Sequence, residues 1–452
     1  MADLIITGDT IITQNGSGEI IEHGAVAVTG SRITAVGSRD EIMADYGNSA
    51  RVLTGTGTLV MPGLINAHTH VPMTCFRGLA DDLPLETWLN EAIFPAETKL
   101  TSEIVYWGAM LGCAEMILSG TTFFCDMYLF EHEVARAVEK AGLRALLGEV
   151  LYDFPSPNYG PAEEGLKFTA NLIDQWQGHD RISIAVEPHT LYTCSPDFLK
   201  ACQELAFQKK TPLIIHVSET KDEVANIQSQ YGATPVHHLD NLGLLSSRLI
   251  ADHCVALEED EIDLLSERGV KVVHNPSSNM KLASGISPVP ELLEAGVSVG
   301  LGTDGAASNN HLDMFSEMDI TAKLHKSFKL DPTVMNAATV LNMATTDGAR
   351  VLGMGNRVGC LAPGYLADLI VLDLNQPHLT PLYNPNSHLV YTASGADVIH
   401  SVVNGQILME NRRLTTLDLE AIYEKMAEIS IIMAEAVNKK RKSHTESDIK
   451  EL

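Results

Sequence analysis

Four apolar segments of the chain, each of strand length, end in histidines or an aspartate. They are segments 59–70, 212–219, 249–253 and 297–304. The polar residues at or near their carboxyl ends are His68 with His70, His216, His253 and Asp304. In an extended strand, side chains two apart point to the same face, so His68 and His70 can converge on one ion. Independent accidents would not place these residues at the same end of a strand each time. The pattern therefore predicts one site assembled from several strand ends.

Further strands and helices alternate between these segments. The other predicted strands are 120–126, 143–149, 182–189 and 270–274, and helical spacing of apolar residues is found in 103–118, 131–141, 196–208, 260–267 and 288–295. Such alternation favours a parallel sheet. Eight strands predict an α/β fold, a (β/α)8 TIM barrel whose chemistry lies at the carboxyl ends of the strands. A doubly wound open sheet is the alternative, but no Gly-x-Gly-x-x-Gly follows an early strand.

The two ends of the chain differ from its middle, because they alternate short apolar runs with turns. Residues 1–60 and 362–414 are predicted to form one small β-sandwich domain built from both termini. Residues 61–361 would form the barrel inserted between them. Residues 415–452 would form a C-terminal helix and tail.

Composition excludes several classes of function. A net charge of −27 repels a phosphate backbone, so no nucleic-acid partner is expected. No segment reaches the length of a membrane span, and no basic region precedes a hydrophobic block near the start. The seven cysteines form no Cys-x-x-Cys pair, which indicates reduced thiols. We therefore expect a cytoplasmic protein without a membrane partner.

Longer motifs around these strand ends resemble a known family. They are Pro62-Gly-Leu-Ile-Asn-Ala-His-Thr-His70, Arg77-Gly-Leu-Ala-Asp-Asp-Leu-Pro-Leu85, His216-Val-Ser-Glu219, His274-Asn-Pro-Ser-Ser-Asn-Met-Lys-Leu282 and Gly302-Thr-Asp-Gly-Ala-Ala-Ser-Asn309. Together they resemble the mononuclear-metal deaminase branch of the amidohydrolase superfamily. They are similar to the 5-methylthioadenosine/S-adenosylhomocysteine deaminases over nearly the whole chain. A small-molecule substrate and a homo-oligomer are the expected partners.

The resemblance implies a metal site and a division of catalytic roles. The metal ligands would be His68, His70, His216 and Asp304, and three imidazoles with one carboxylate suit one Zn2+ per chain. Asp304 would also accept a proton from water, His253 would hold that water, and Glu219 would carry protons to the substrate. Binuclear relatives bridge two metals with a lysine near the fourth strand, and 182–189 contains none. One metal is therefore expected.

The resemblance also places substrate contacts at five positions. Glu97 would receive the ribose hydroxyls and His189 would reach the purine ring. The other three expected contacts are Trp88, Glu219 and Ser308.

One segment departs from the family pattern. Family members that deaminate S-adenosylhomocysteine well carry arginines after the third strand, whereas residues 147–164 contain no Arg or Lys. Glu149, with Glu163 and Glu164 nearby, stands where positive charge is expected. This predicts a preference for 5'-methylthioadenosine or adenosine over S-adenosylhomocysteine.

The expected function is a zinc-dependent hydrolytic deaminase of adenine nucleosides. The alternative on the same site is an amino- or chlorohydrolase of another nitrogen heterocycle, of the guanine, s-triazine or pterin type. A catalytically silent metal-binding scaffold is a third possibility. Each residue also has a structural explanation, since single histidines often serve a core and Asp304 before a glycine can form a turn. Glu219 could instead stabilise a helix start.

Overall fold

A computed structural model describes residues 2–48, 50–83 and 85–448, with the backbone alone at 85–86 and 437–448. The first part of the chain forms five strands and one helix. These are β1 Leu4–Ile12, β2 Ile20–Thr29, β3 Arg32–Ser38, α1 Arg39–Tyr46, β4 Arg51–Leu53 and β5 Thr58–Pro62. β1 and β2 pair antiparallel, as do β2 and β3, whereas β4 and β5 run parallel to β1.

The middle of the chain supplies the strands of a parallel barrel. They are β6 Leu64–Thr69, β7 Thr121–Tyr128, β8 Arg144–Leu151, β9 Ile182–Ile184, β10 Glu187–Pro188, β11 Leu213–Val217, β12 Leu249–His253, β13 Lys271–His274 and β14 Ser298–Leu301. β9 and β10 are two pieces of one strand position, because both pair with β8. The barrel thus has eight strand positions, as the sequence predicts.

Two sets of contacts close the barrel. β6, β7, β8 and β10 belong to one hydrogen-bonded sheet, and β11 to β14 form another. A parallel bridge between Val186 and Leu213 connects the two sheets on one side. On the other side, the amide of Asp304 donates to the carbonyl of His68 at 3.0 Å. The closure brings the first and last strand ends together.

Helices follow the strands on the outside of the barrel. They are α2 Leu85–Trp88, α3 Phe94–Glu97, α4 Ser102–Leu118, α5 Glu131–Ala141, α6 Ala162–Trp176, α7 Pro196–Lys209, α8 Lys221–Tyr231, α9 Pro235–Asn241, α10 Glu259–Arg268, α11 Pro276–Lys281, α12 Val289–Glu294, α13 Met314–Lys329, α14 Ala337–Met343 and α15 Thr346–Val351. A short π-helical stretch, Leu89–Ile93, joins α2 to α3. The five helices predicted from apolar spacing correspond to α4, α5, α7, α10 and α12.

The chain then returns to the first sheet. The last elements are β15 Leu369–Asp373, α16 Pro385–Tyr391, β16 Val398–Val403, β17 Gln406–Glu410, β18 Arg413–Leu414 and α17 Leu419–Asp448. The terminal strands share one nine-stranded sheet with the order β18-β17-β16-β15-β5-β1-β2-β3, and β4 pairs with β1. Apolar residues from both ends of the chain form its core, including Ile6, Val26, Leu369 and Val402. The predicted β domain from both termini is therefore present.

The apolar run at 59–67 serves two sheets. We expected one strand there, but β5 pairs with β15 in the terminal sheet and β6 pairs with β7 in the barrel. Gly63 lies between them, and a methyl group at this position would collide with Thr122. The glycine therefore permits close approach where the two sheets meet.

The end of the chain is a helix that packs on the barrel. α17 begins at Leu419 and runs to Asp448, while 449–452 of the predicted tail lie outside the described residues. It packs against α4, α3, the π-helical stretch and the 3-10 helix Val71–Phe76. Among the helices in the described part of the chain, none combines the length and apolarity needed to cross a bilayer.

Candidate metal centre and pocket

Three residues at or just beyond the ends of barrel strands have a left-handed backbone conformation. These residues are Ser218 with φ 51°, His253 with φ 71° and Asp304 with φ 61°. Positive φ is uncommon outside glycine, and such residues concentrate at functional sites. At each of these residues the backbone turns away from the direction of the strand, at the carboxyl end of the barrel. The predicted site residues therefore lie at strand ends that are already unusual in backbone geometry.

The predicted metal ligands lie together. One ligand atom each from His68, His70 and His216 falls within 4.8 Å of the others, and the same holds for His68, His253 and Asp304. The ring centroids of His68 and His216 are 5.0 Å apart, and those of His70 and His216 are 5.5 Å apart. The barrel thus brings together side chains separated by more than two hundred residues in sequence.

Each of the three predicted histidine ligands has an oxygen acceptor close to its Nδ1 atom, and the acceptor differs from one histidine to the next. Nδ1 of His68 lies 3.1 Å from Oδ2 of Asp252, and Nδ1 of His216 lies 2.8 Å from the carbonyl of His189. Nδ1 of His70 contacts the carbonyl of Met127. Such contacts fix the imidazole tautomer with the proton on Nδ1. The Nε2 atoms are left as ligands.

Asp304 uses its two oxygens differently. Oδ1 lies 3.1 Å from Nε2 of His70 and 3.5 Å from Nε2 of His68. Oδ2 accepts hydrogen bonds from the hydroxyls of Ser278, at 2.5 Å, and Ser308, at 3.0 Å. One oxygen therefore faces the histidines while the serines hold the other in place.

This donor set fits a single zinc ion. Nε2 of His68 is buried and has no hydrogen-bond partner, as a metal ligand requires. Although burial acts to lower it, Asp252 and Asp304 raise the pKa of His68 well above its usual value. Burial and the neighbouring histidines lower the pKa of His216 well below its usual value, which keeps this imidazole neutral. Asp252 and Asp304 thus stabilise a positive charge close to the histidine nitrogen atoms. A zinc ion bound by these nitrogens would supply such a charge.

His253 takes a different position from the other three histidines. Its Nδ1 lies 2.8 Å from Oδ1 of Asn279, which places the proton on Nδ1 and leaves Nε2 as an acceptor. Its ring stacks beside that of His216, with centroids 5.4 Å apart. A water in the centre can therefore donate a hydrogen bond to His253.

A pocket opens directly above the centre. Its lining combines residues of the centre with an apolar and aromatic wall: His70, Met73, Trp88, Leu89, Ile93, Phe94, Glu97, Met127, Tyr128, Val150, Tyr152, His189, Thr190, Tyr192, His216, Glu219, His253, Leu282, Asp304 and Ser308. All five residues predicted to contact substrate are among them. No Arg or Lys is found in this lining as far as the described residues extend.

Glu97 is a half-buried residue among the apolar side chains of the pocket lining. Its Oε1 accepts a hydrogen bond of 2.8 Å from the hydroxyl of Tyr128. Burial raises the pKa of Glu97 to about 7, against the opposing effects of Tyr128 and His70. Burial and nearby histidines lower the pKa of His189, another lining residue, to about 3, so this imidazole is neutral. Glu97 is thus a titratable acceptor in the pocket, and His189 is a neutral imidazole.

Glu219 lies in the turn between β11 and α8. Its backbone amide donates to Oε2 of Glu223 at 2.7 Å, and the amide of Ser218 donates to Oε1 at 3.1 Å. The only hydrogen bond to the Glu219 side chain among the described residues comes from Ser284, at 3.4 Å. The backbone is therefore held firmly, while the carboxyl group faces the pocket.

The structure corrects our interpretation of Glu149. Its side chain is fully buried and accepts hydrogen bonds from the amides of Phe130 and Glu131 at the start of α5, and from Asn158. It therefore lies outside the pocket lining. Strand alternation explains the error, because the neighbouring Val150 faces the pocket instead.

Glu163 and Glu164 do not line the pocket either. Both are exposed in the first turn of α6, and Glu164 pairs with Lys167 at 2.6 Å. None of the three acids can therefore repel a substrate inside the pocket. Among the described residues, the pocket lining contains no Arg or Lys that could bind the carboxylate of S-adenosylhomocysteine.

Several supporting residues escaped the sequence analysis. Asp252 orients His68, Asn279 orients His253 and Ser278 holds Asp304. Glu223 had a usable signal, because Thr220-x-x-Glu223 is a helix capping pattern directly after Glu219. Tyr128 and Tyr152 had none, since aromatic residues near a strand end more often belong to a core.

A family model described as "Amidohydrolase family" matches residues 59–408. A shorter match, to an imidazolonepropionase-like composite domain of bacteria, covers residues 24–47. Curated relatives are similar over nearly the whole chain. The 5-methylthioadenosine/S-adenosylhomocysteine deaminase of Syntrophobacter fumaroxidans is 58% identical over 95% of this chain and 98% of its own length. The 5'-deoxyadenosine deaminase of Methanothermobacter thermautotrophicus is 48% identical over 93% of this chain and 96% of its own length.

Solved structures share the fold. A zinc-bound adenosine deaminase from Xanthomonas campestris superposes with a TM-score of 0.92 at 39% identity, covering 96% of this chain and 98% of that one. An atrazine chlorohydrolase from Arthrobacter aurescens, complexed with zinc, gives a TM-score of 0.87 at 24% identity over 94% of this chain and 100% of that one. At that identity the second likeness speaks for the fold alone.

Proposed function

Because the chain belongs to the amidohydrolase family, we propose that it is a zinc-dependent deaminase of adenine nucleosides. The reaction adds water to the amine-bearing carbon of the purine and releases the inosine analogue and ammonia. One observation carries the proposal. Three histidines, Asp304 and His253 converge at the floor of a pocket whose wall also presents Glu219.

The proposed metal ligands are His68, His70, His216 and Asp304. These residues would hold a zinc ion, which would supply Lewis-acid chemistry by lowering the pKa of a bound water to about 7. Asp304 accepts a proton from the attacking water through Oδ1, the carboxylate oxygen that faces the histidines, while Ser278 and Ser308 hold Oδ2. His253 accepts the water's other hydrogen bond through Nε2 and so orients its oxygen. This leaves the oxygen's lone pair directed toward the substrate.

Glu219 is the proposed proton carrier to the ring. It donates a proton to a ring nitrogen, which makes the adjacent carbon electrophilic while the water oxygen adds to it. The proton collected by Asp304 then reaches the departing amine, the new hydroxyl on the same carbon returns a proton to Glu219, and ammonia leaves as the carbonyl forms. His189, neutral because of its low pKa, contributes a hydrogen bond to the purine. Ser308 lines the pocket and holds Asp304, so its proposed substrate contact would be shared with that role.

The nucleoside part of the proposal depends on Glu97. Two carboxylate oxygens suit the vicinal hydroxyls of a ribose. Glu97, Glu219 and the apolar side chain of Trp88 all line the pocket. Relatives of 45–58% identity are named as deaminases of 5'-methylthioadenosine, S-adenosylhomocysteine or 5'-deoxyadenosine. These names support an adenine nucleoside as substrate.

The triazine and guanine alternatives are not favoured. The corresponding structures are 24% identical to this chain, which is evidence for shared fold and not for shared substrate. A guanine or triazine also has no ribose to engage Glu97.

A substrate screen tests the proposal. Zinc-loaded protein would be assayed for ammonia release with adenosine, 5'-deoxyadenosine, 5'-methylthioadenosine, S-adenosylhomocysteine, guanine and atrazine. We expect the first three to be deaminated with the highest kcat/KM. S-adenosylhomocysteine should be about ten- to a hundredfold poorer, because its carboxylate finds no charged hydrogen-bond donor in the lining. Faster turnover of guanine or atrazine than of any nucleoside would contradict the proposal.

Two further properties belong to this proposal. The protein would act in the cytoplasm, which is supported by seven free cysteines that are all buried. It would be a homo-oligomer, which sedimentation at several concentrations can measure. The proposed units are the β domain of 1–60 and 362–414, the barrel of 61–361 and the C-terminal helix and tail of 415–452.

A further inference from the structure

Lys281, at the end of α11, connects three loops around the site. Its ammonium group has three hydrogens and meets three acceptors. It lies 2.6 Å from Oδ1 of Asp81, 3.3 Å from the carbonyl of Ala307, and in contact with Oδ1 of Asn310. Asp81 follows β6, and Ala307 and Asn310 follow β14. The charge is thus satisfied entirely by segments that are distant in sequence.

The loop after β14 needs such support. It begins at Asp304 and reaches Asn310, both in the left-handed region with φ 61° and 82°. Residues other than glycine hold this conformation only when the surrounding structure enforces it. Asn310 is held at its side chain by Lys281, at its carbonyl by Arg77, and through its amide group by Asp81 at 3.4 Å. The strained loop is therefore fixed at its far end.

The same elements support the metal centre. α11 carries Ser278, which donates to Asp304, and Asn279, which accepts from His253. The loop after β14 carries Ser308, which also donates to Asp304. Any shift of α11 relative to this loop would separate Ser278 and Ser308 from the oxygen that they share.

We propose that Lys281, with Asp81 and Asn310, is a positioning residue that clamps the loops after β6, β13 and β14 and so fixes Asp304. Lys281 touches neither the pocket nor the centre. Its contribution acts through the serines that hold Oδ2 of Asp304. The catalytic part of this inference rests on the proposed function, whereas the effect on zinc binding does not.

The test compares Lys281→Met with Lys209→Met as a matched control. Lys209 forms a surface pair with Asp174 at 2.5 Å, and its side chain is 26% exposed, close to the 25% of Lys281. Zinc affinity is measured by competition with a chelator, kcat and KM with 5'-methylthioadenosine, and Tm by calorimetry. We expect Lys281→Met to bind zinc about 10- to 100-fold more weakly and to lose a similar factor in kcat. Its Tm should fall below that of the control only by the amount that the weaker zinc binding accounts for.

Two further variants sharpen the test. Lys281→Arg keeps a cation and should recover part of both losses. Asp81→Asn should weaken zinc binding as well, and the double variant should lose less than the sum of the two single losses, because the residues act together. Zinc affinity and kcat within twofold of Lys209→Met would overturn the proposal, as would a lower Tm with unchanged zinc affinity. Weaker zinc binding in a protein that deaminates no nucleoside would uphold the clamp and reject the proposed function.

Discussion

Glu219 and Glu223 show how neighbouring carboxyl groups take different roles in one turn. Glu223 accepts hydrogen bonds from the amides of Ser218 and Glu219, and burial raises its pKa to about 7. Glu219 keeps its carboxyl group toward the pocket. The buried acid stabilises the turn, and the turn presents to the pocket the acid that we propose to react.

Replacing Glu219 tests its proposed proton transfer. Glu219→Gln keeps the shape of the side chain but cannot carry a proton, so kcat should fall by about two to four orders of magnitude. Zinc content and Tm should stay at wild-type values, because the side chain makes one long hydrogen bond. The control is Glu204→Gln on the surface of α7. Near-normal turnover by Glu219→Gln would exclude the role.

Glu97 gives a prediction about pH. Its pKa of about 7 means that the carboxylate, which accepts ribose hydroxyls, forms as the pH rises through 7. At pH 8, Glu97→Gln should lower kcat/KM for 5'-methylthioadenosine by about ten- to a hundredfold, the scale of charge-assisted hydrogen bonds.

Below pH 6 the wild-type carboxyl is protonated, and the difference between the two proteins should shrink. The ratio of wild-type to variant kcat/KM is measured from pH 5.5 to 8.5, so that titration of other groups cancels. A ratio independent of pH would contradict the assignment.

At the scale of elements, the joint between the two sheets depends on one glycine. Gly63 separates β5 from β6, and its amide donates to the carbonyl of Asp368 at 3.1 Å. No space for a side chain exists beside Thr122. The barrel and the terminal sheet can therefore share one continuous run of chain only while this position stays small.

Gly63→Ala should destabilise the protein by roughly 1–3 kcal/mol, the usual cost of inserting a methyl group into a packed site. Thermal and urea unfolding measure the loss. Gly16→Ala is the matched control, because a methyl group there meets no atom within 4 Å. Equal stability of the two variants would show that Thr122 moves aside without cost.

At the scale of the whole molecule, the centre joins both halves of the barrel. His68 lies near the end of β6 and His70 follows it, His216 lies near the end of β11, and Asp304 follows β14. A bound ion therefore links strands of both parallel sheets and should stabilise the fold as a whole.

Metal analysis should return one zinc per chain. Removal of zinc with a chelator should abolish deamination and lower Tm, and added zinc should restore both. Free zinc at a thousandfold excess over its Kd stabilises a folded site by about 4 kcal/mol. The control is His23→Gln, far from the centre on β2, which should leave the stoichiometry unchanged. Two ions per chain, or an active protein without metal, would contradict the single-metal centre.

The sequence by itself predicted the barrel, the terminal β domain and the ligand set. These features are local, because the periodicity of apolar residues defines each strand and the residue at its end is read directly. His68, His70, His216, His253 and Asp304 were all placed together from this pattern and from the family resemblance. The net charge also predicts that the protein has no nucleic-acid partner.

Only the tertiary structure decided which way individual side chains face. Glu149 and Val150 are adjacent, and the strand turns the valine to the pocket while the glutamate binds the start of α5. The supporting contacts of Asp252, Ser278 and Lys281 also became visible only in three dimensions. Hydrogen bonds between loops depend on closure of the barrel, which brings together residues that no local pattern relates.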